Sequence, residues 1–325
     1  MRIPNYLTCS LVTFFVALLG SSTTIDRTFA QSIVAHRGAS FDAPENTLAA
    51  FNLAWEQGAD AIEGDFYLTA DQQIACIHDK TTKRTAGVEL KVADSTLDQL
   101  RELEYGAWKS EKFQGEPIPT LDEVLATVPP YRQVFVEVKC GAEIVPHMKQ
   151  VFERSSLGRE QIVVISFSAD VIAETKSQIP DVAAFWLTGY KQNEETGEWS
   201  PDLPQVLKTL AATRADGLDT SAEMKVLDQE FIAALREKGH AVHTWTVDDP
   251  DQALALQRLA VDSITTNRPQ FIRETLNLPP ANVAVTSEDA TTTNVRTAVC
   301  SQTEAYGPLR RTGRLGRWIR LRRCK

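Results

Sequence analysis

Between residues 36 and 79 the chain carries H-R-G-A-S-F-D-A-P-E-N-T, then G-A-D-A-I-E-G-D-F, then C-I-H-D. Two histidines (His36, His78), an arginine (Arg37) and an acidic pair (Glu63, Asp65) therefore fall within one short span. Glu63 and Asp65 flank Gly64, and in a strand residues two apart share a face. Like charges on one face repel unless a cation or a basic group lies between them. Two carboxylates are also the minimum that a hard, oxygen-liganded cation needs. Either acid alone reads as part of a solvated strand face, and either histidine alone as a loop hydrogen-bonder; together they point to a metal site.

The elements that position these groups follow from the apolar runs. Residues 33–35 form a strand that stops at His36-Arg37-Gly38, residues 61–68 a second, and residues 74–77 a third that ends in His78-Asp79. Each delivers its charged residues at a strand C-terminus, as the active sites of parallel α/β sheets and barrels do. Asn46-Thr47 can start a helix that Gly58 ends. Residues 80–119 are polar and turn-rich, an insert expected to wall the pocket. Rhythm resumes with a helix at 121–127 and the strand 134–139, F-V-E-V-K at its end. Glu137 and Lys139 share a face: either a stabilising ion pair, or a third metal carboxylate beside a phosphate-seeking ammonium. Strands at 162–166, 182–187, 217–219, 241–246 and 263–265 alternate with helices at 169–178, 203–213, 228–238, 250–259 and 269–276. About eight strand–helix units predict a (β/α)8 TIM barrel with a small insertion after the third strand-like segment. His243 and Trp245 alternate onto one face; Trp245 either floors a pocket or fills the core.

Composition agrees with one large domain over residues 31–280, since 43% of residues are hydrophobic and 24% charged. Residues 1–30 read as a secretory signal, with Arg2, an apolar stretch at 11–19 and T-F-A before Gln31. That stretch is shorter than the roughly 20 residues a bilayer span needs. The expected mature protein is exported, periplasmic or extracellular, and has no transmembrane span. The chain carries −9 overall, of which residues 1–30 hold +1 and residues 301–325 hold +7, leaving −17 for 31–300. An acidic body argues against nucleic acid as a partner. Residues 281–325 are expected to be a disordered basic tail that can touch anionic surfaces. Of the five cysteines, Cys76 is expected to share the inward face of His78, Cys140 to face away from Lys139, and Cys300 and Cys324 are free to pair or not.

From about residue 33 to 272 the ordered motifs H-R-G, P-E-N-T, I-E-G-D, H-D, R-T-A-G, G-E-P-I-P-T-L-D-E-V-L, V-E-V-K, W-T-V and T-N-R-P closely resemble the glycerophosphodiester phosphodiesterase family. Asn267 departs from it, many members having Asp there, as does His243-Thr244 before W-T-V. The resemblance implies a divalent cation, Ca²⁺ or Mg²⁺, on Glu63, Asp65 and Glu137. It also implies Arg37 and Lys139 on the substrate phosphate, Trp245 against the substrate, and His36 and His78 as general acid and base. Glycerophosphodiesters would be hydrolysed to glycerol 3-phosphate and an alcohol. The rival readings are a lysophospholipase D-type activity and an inactive barrel that binds anionic head groups. Loss of one histidine or carboxylate would favour the second, and none is missing.

Overall fold

Eight times the chain runs up a strand and back down a helix, and the eighth strand returns to pair beside the first. The computed structural model describes residues 31–280; the expected signal and basic tail, with Cys300 and Cys324, lie outside the described residues. Strands are β1 (Ser32–His36), β2 (Ala61–Leu68), β3 (Ile74–Cys76), β4 (Gln133–Val138), β5 (Ile162–Ser166), β6 (Ala183–Thr188), β7 (Lys191–Gln192), β8 (Trp199–Ser200), β9 (Gly217–Ser221), β10 (Ala241–Trp245) and β11 (Ser263–Thr266). Their order is β1-β11-β10-β9-β6-β5-β4-β2, and β1 also pairs with β2, so eight parallel strands close into a barrel. This is the predicted (β/α)8 fold. The small β7–β8 hairpin, which follows β6, and the helix Val145–Arg154 were not anticipated. That helix has Pro in its first turn and no side-chain cap, so it lacks the usual start signal.

Alternation along the strands sorts side chains into two layers. Ile33, Ile62, Phe66, Val134, Val136 and Val164 face outward into the main core. Val34, Ala61, Phe135, Val163, Ile165, Phe185 and Leu187 face inward and fill the barrel. At about 1.5–3 kcal/mol for each large apolar side chain buried, this inner layer helps close the ring and keeps bulk water from below the site. The helices begin where small polar residues cap them: Thr47 accepts from the Ala50 amide, and Thr120 with Glu123 forms a reciprocal box. Gly38 is required where it stands, because it has φ +79° and an added Cβ would lie 2.5 Å from the Ala50 carbonyl carbon.

The third strand differs from expectation. Only residues 69–73 join β2 to β3, too few for a parallel crossover, which needs a dozen or more. β3 therefore runs antiparallel, pairing Phe66 with Cys76. It takes the edge of β2 that β1, ending at His36, leaves open. This also corrects the expectation for Cys76, which lies buried in the outer core with its Sγ 3.3 Å from Asn46 Oδ1 rather than facing the pocket. Cys76 and Cys140 are both free. Residues 80–119 build a satellite core from Val92, Leu97, Leu100, Tyr105 and Ile118 against Ala75 and Ile77. Among the described residues, no helix is long and apolar enough to cross a membrane.

Candidate active site

β1 ends with His36 in register beside Glu63, and two residues further along β2 Asp65 lies beside Glu137 of β4. Strand periodicity turns these side chains inward, just above the apolar filling of the barrel. Glu63 is 2% exposed, Asp65 0% and Glu137 8%. One oxygen from each lies within 4.8 Å of the others. Two cations partly compensate them. Arg37 lies with Nε 3.1 Å from Asp65 Oδ2, and its backbone N–H donates to Glu63 Oε2 at 2.9 Å. Lys139 donates from Nζ to Glu137 Oε1 at 2.7 Å and stands 3.4 Å from Asp65 Oδ1.

Two cations against three carboxylates leave an excess of negative charge, and it falls unevenly. Burial pushes Glu63 up, with Asp65 and Glu137 adding to the effect. Burial and Asp65 likewise raise Glu137 to about 7. Burial also works against ionised Asp65, but Arg37 and Lys139 outweigh it and hold that carboxyl below its usual range. The buried oxygens Glu63 Oε1 and Asp65 Oδ1 have no hydrogen-bond partner. Two such oxygens on β2, with the Glu137 carboxyl of β4 clustered beside them and no sulfur or imidazole in the trio, fit a hard divalent cation.

Both histidines are held through Nδ1. His36 Nδ1 lies 2.7 Å from Asn267 Oδ1. Asn267 donates its amide N–H to Asp248 Oδ2 at 2.6 Å, so its oxygen can only accept, from His36 and from Ser40 Oγ. His36 Nδ1 therefore carries the proton and Nε2 is the free acceptor. His78 Nδ1 lies 2.7 Å from Asp79 Oδ1. Asp79 is held at about 2, foremost by its hydrogen bond from Arg84, so this carboxylate also accepts and again leaves His78 Nε2 free. Arg84 donates from Nε to Asp79 and from both Nη atoms to Glu45, which in turn takes a bond from Arg37. Here lies a second correction: no residue of 80–119 lines the cavity. The insert acts from behind, through Arg84.

His36, Arg37, Glu63, His78, Glu137, Lys139 and Trp245 line one cavity of about 170 Å³, with Ile165, Phe167 and Leu187 as apolar wall. Asp65 lies beside it, fully buried. Trp245 is part of the wall, half-buried against the inner apolar layer and edge-on to Phe167 at 5.5 Å. His243 sits deeper, stacked on Phe185 at 4.4 Å with Nδ1 on Ser263 Oγ. Sequence reasoning gave no role to Asp219, Asp79, Arg84 or Phe167. Asp219 did carry a signal, being a charged residue in the short strand G-L-D-T-S; burial and Glu137 push its carboxyl well up.

A barrel that gathers a carboxylate trio, two anion-seeking cations and two tautomer-fixed histidines at its strand C-termini is equipped as a hydrolase for phosphate esters. The model of the glycerophosphoryl diester phosphodiesterase family matches residues 36–271, and the chain belongs to that family of enzymes. A glycerophosphodiester phosphodiesterase of Caldanaerobacter subterraneus is 30% identical over 246 residues, covering 74% of this chain and 95% of the relative. YhdW of Bacillus subtilis is 33% identical over 255 residues, 74% of this chain and 96% of its own length. The structure of an Oleispira antarctica phosphodiesterase in complex with the product sn-glycerol-3-phosphate superposes with a TM-score of 0.67 at 25% identity, covering 77% of this chain and 98% of that one.

Proposed function

We propose that the protein hydrolyses short glycerophosphodiesters to glycerol 3-phosphate and an alcohol, with a divalent cation, Ca²⁺ or Mg²⁺, on Glu63, Asp65 and Glu137. The observation that carries this reading is the convergence of Arg37, Lys139 and two histidines with free Nε2 atoms on the cavity that the carboxylates border. The product complex of the Oleispira relative supports the glycerophosphate half of the substrate.

When bound, the cation supplies charge that stabilises phosphoryl oxygens and lowers the pKa of a hydroxyl beside it. Arg37 orients the phosphate as a planar donor fork and Lys139 as a point charge. The two histidines differ in what stands behind them. Burial and the neighbouring Arg37 lower His36 to about 4, and its Nδ1 partner is a neutral amide. It stays neutral and takes the proton of the attacking hydroxyl at Nε2. His78 is backed instead by the ionised Asp79, which accepts from its Nδ1. His78 gives its Nε2 proton to the leaving alcohol oxygen as the P–O bond breaks. Where the attacker is the substrate's own glycerol hydroxyl, water then opens the resulting cyclic phosphate to glycerol 3-phosphate, losing a proton to His78 while His36 returns its own.

Two tests follow. Glycerophosphocholine should be hydrolysed roughly 10²-fold or more faster than a phosphodiester with no glycerol hydroxyl, because a site built around a hydroxyl rejects analogues that lack it. Equal rates would restate the function as general phosphodiesterase. Asp79→Asn should lower turnover by about 10- to 100-fold with little change in KM, since the amide can present N–H to Nδ1 and release the tautomer. Unchanged turnover would remove Asp79 from the mechanism.

A further inference from the structure

Across the barrel from the metal carboxylates stands one more buried acid. Asp219 lies on β9, four strands from β2 in either direction round the ring. It is 1% exposed and lines the cavity. It does not join the trio whose oxygens cluster within 4.8 Å, and its Oδ1 is buried with no hydrogen-bond partner. Its register neighbour on β10, His243, spends Nδ1 on Ser263. A buried carboxylate left unpaired costs stability, so the fold gains nothing by keeping it for its own sake.

The cavity has a sequence of chemistries from one side to the other. Arg37 and Lys139 hold the phosphate end, on the side of β1 and β4. Ile165, Leu187 and Trp245 then offer apolar walls, and Asp219 closes the β9 side with an acceptor. That order matches a phosphate, a short carbon chain and a terminal hydroxyl. We propose that Asp219 is the specificity-determining residue for the glycerol moiety, accepting a hydrogen bond from the hydroxyl farthest from the phosphate. The inference rests on the glycerophosphodiester reading and adds to it the residue that reads the alcohol. A ligand without that hydroxyl leaves the carboxylate desolvated and unpaired, which is how a polar site discriminates.

Binding distinguishes this proposal from the reading beneath it. Calorimetry on the metal-loaded full chain compares sn-glycerol 3-phosphate with methyl phosphate, for the natural protein, Asp219→Ala and Asp219→Leu. The natural protein should prefer glycerol 3-phosphate, and both variants should lose about 10- to 100-fold of that preference, the scale of a hydrogen bond to a charged group. Metal affinity should be unchanged, and both variants should melt at or above the natural temperature, because an unpaired buried polar group has been removed. A natural protein with no preference overturns the glycerophosphodiester reading itself. Preference retained in both variants overturns only the role of Asp219. Variants that lose the metal, melt lower or fail to fold also overturn it, since the carboxylate would then serve the metal or the fold.

Discussion

Glu63→Gln, Asp65→Asn and Glu137→Gln are each expected to lower metal affinity and turnover together, by about 10³-fold in turnover. A bound cation stabilises transition-state charge by several kcal/mol, and each 1.36 kcal/mol is a factor of ten in rate. The metal-free protein should respond in the opposite sense: Glu63→Gln removes one of three crowded, buried carboxylates and should not lower its melting temperature. Metal affinity should also fall on acidification through about pH 7, because Glu137, raised to about 7 by burial and Asp65, must give up its proton to serve as a ligand. The linked effect on stability has the reverse sign from the usual carboxylate. Its folded pKa is raised, so the metal-free fold binds the proton more tightly than the unfolded chain. Stability from this group is therefore present at low pH and lost as pH rises toward 7. Calorimetric metal titrations and melting curves at several pH values check each part. Full activity in excess chelator, with no metal retained, would sink the whole scheme.

His36→Ala and His78→Ala should each cost about 10²- to 10⁴-fold in turnover, the range of a positioned acid or base, while the barrel stays folded. The two losses should not behave alike. An activated diester whose leaving group needs no proton should rescue His78→Ala, because the acid's work is no longer required. The same substrate should leave His36→Ala as impaired as before, because the attacking hydroxyl still has to lose its proton. His147 and His240 do not line the cavity and should matter little to the chemical step. Rates on both substrates for the four variants decide the matter. If His78→Ala turned over the natural substrate at a near-normal rate, the two-histidine mechanism would be wrong. If the activated diester rescued His36→Ala instead, the roles would be exchanged.

Much of this site was legible because its signals are local. Period-two alternation is a property of a single strand, so Glu63 with Asp65, and Glu137 with Lys139, could be placed on shared faces before any strand was placed beside another. The helix starts at Thr47 and Thr120 were legible for the same reason, since a cap bonds only to amides two or three residues away. The motif spacing carried the family, and repeated strand–helix alternation carried the barrel. What neighbouring residues cannot encode is which edge is open and what lies across the ring. β3 pairs where it does because β1 ends early beside β2 and leaves that edge open, a fact of pairing between segments. The proton positions on His36 and His78 depend on Asn267, 231 residues away in the chain, and on Arg84 reaching Asp79 and Glu45 from the insert. Asp219 looked like any acid in a short strand until closure of the barrel buried it opposite β2. The sequence by itself determined which groups share a face and what chemistry they can do. Only the tertiary structure decided which face points inward, which oxygens are left without partners and which way each histidine holds its proton, because burial and long-range hydrogen bonds exist only once the ring is closed.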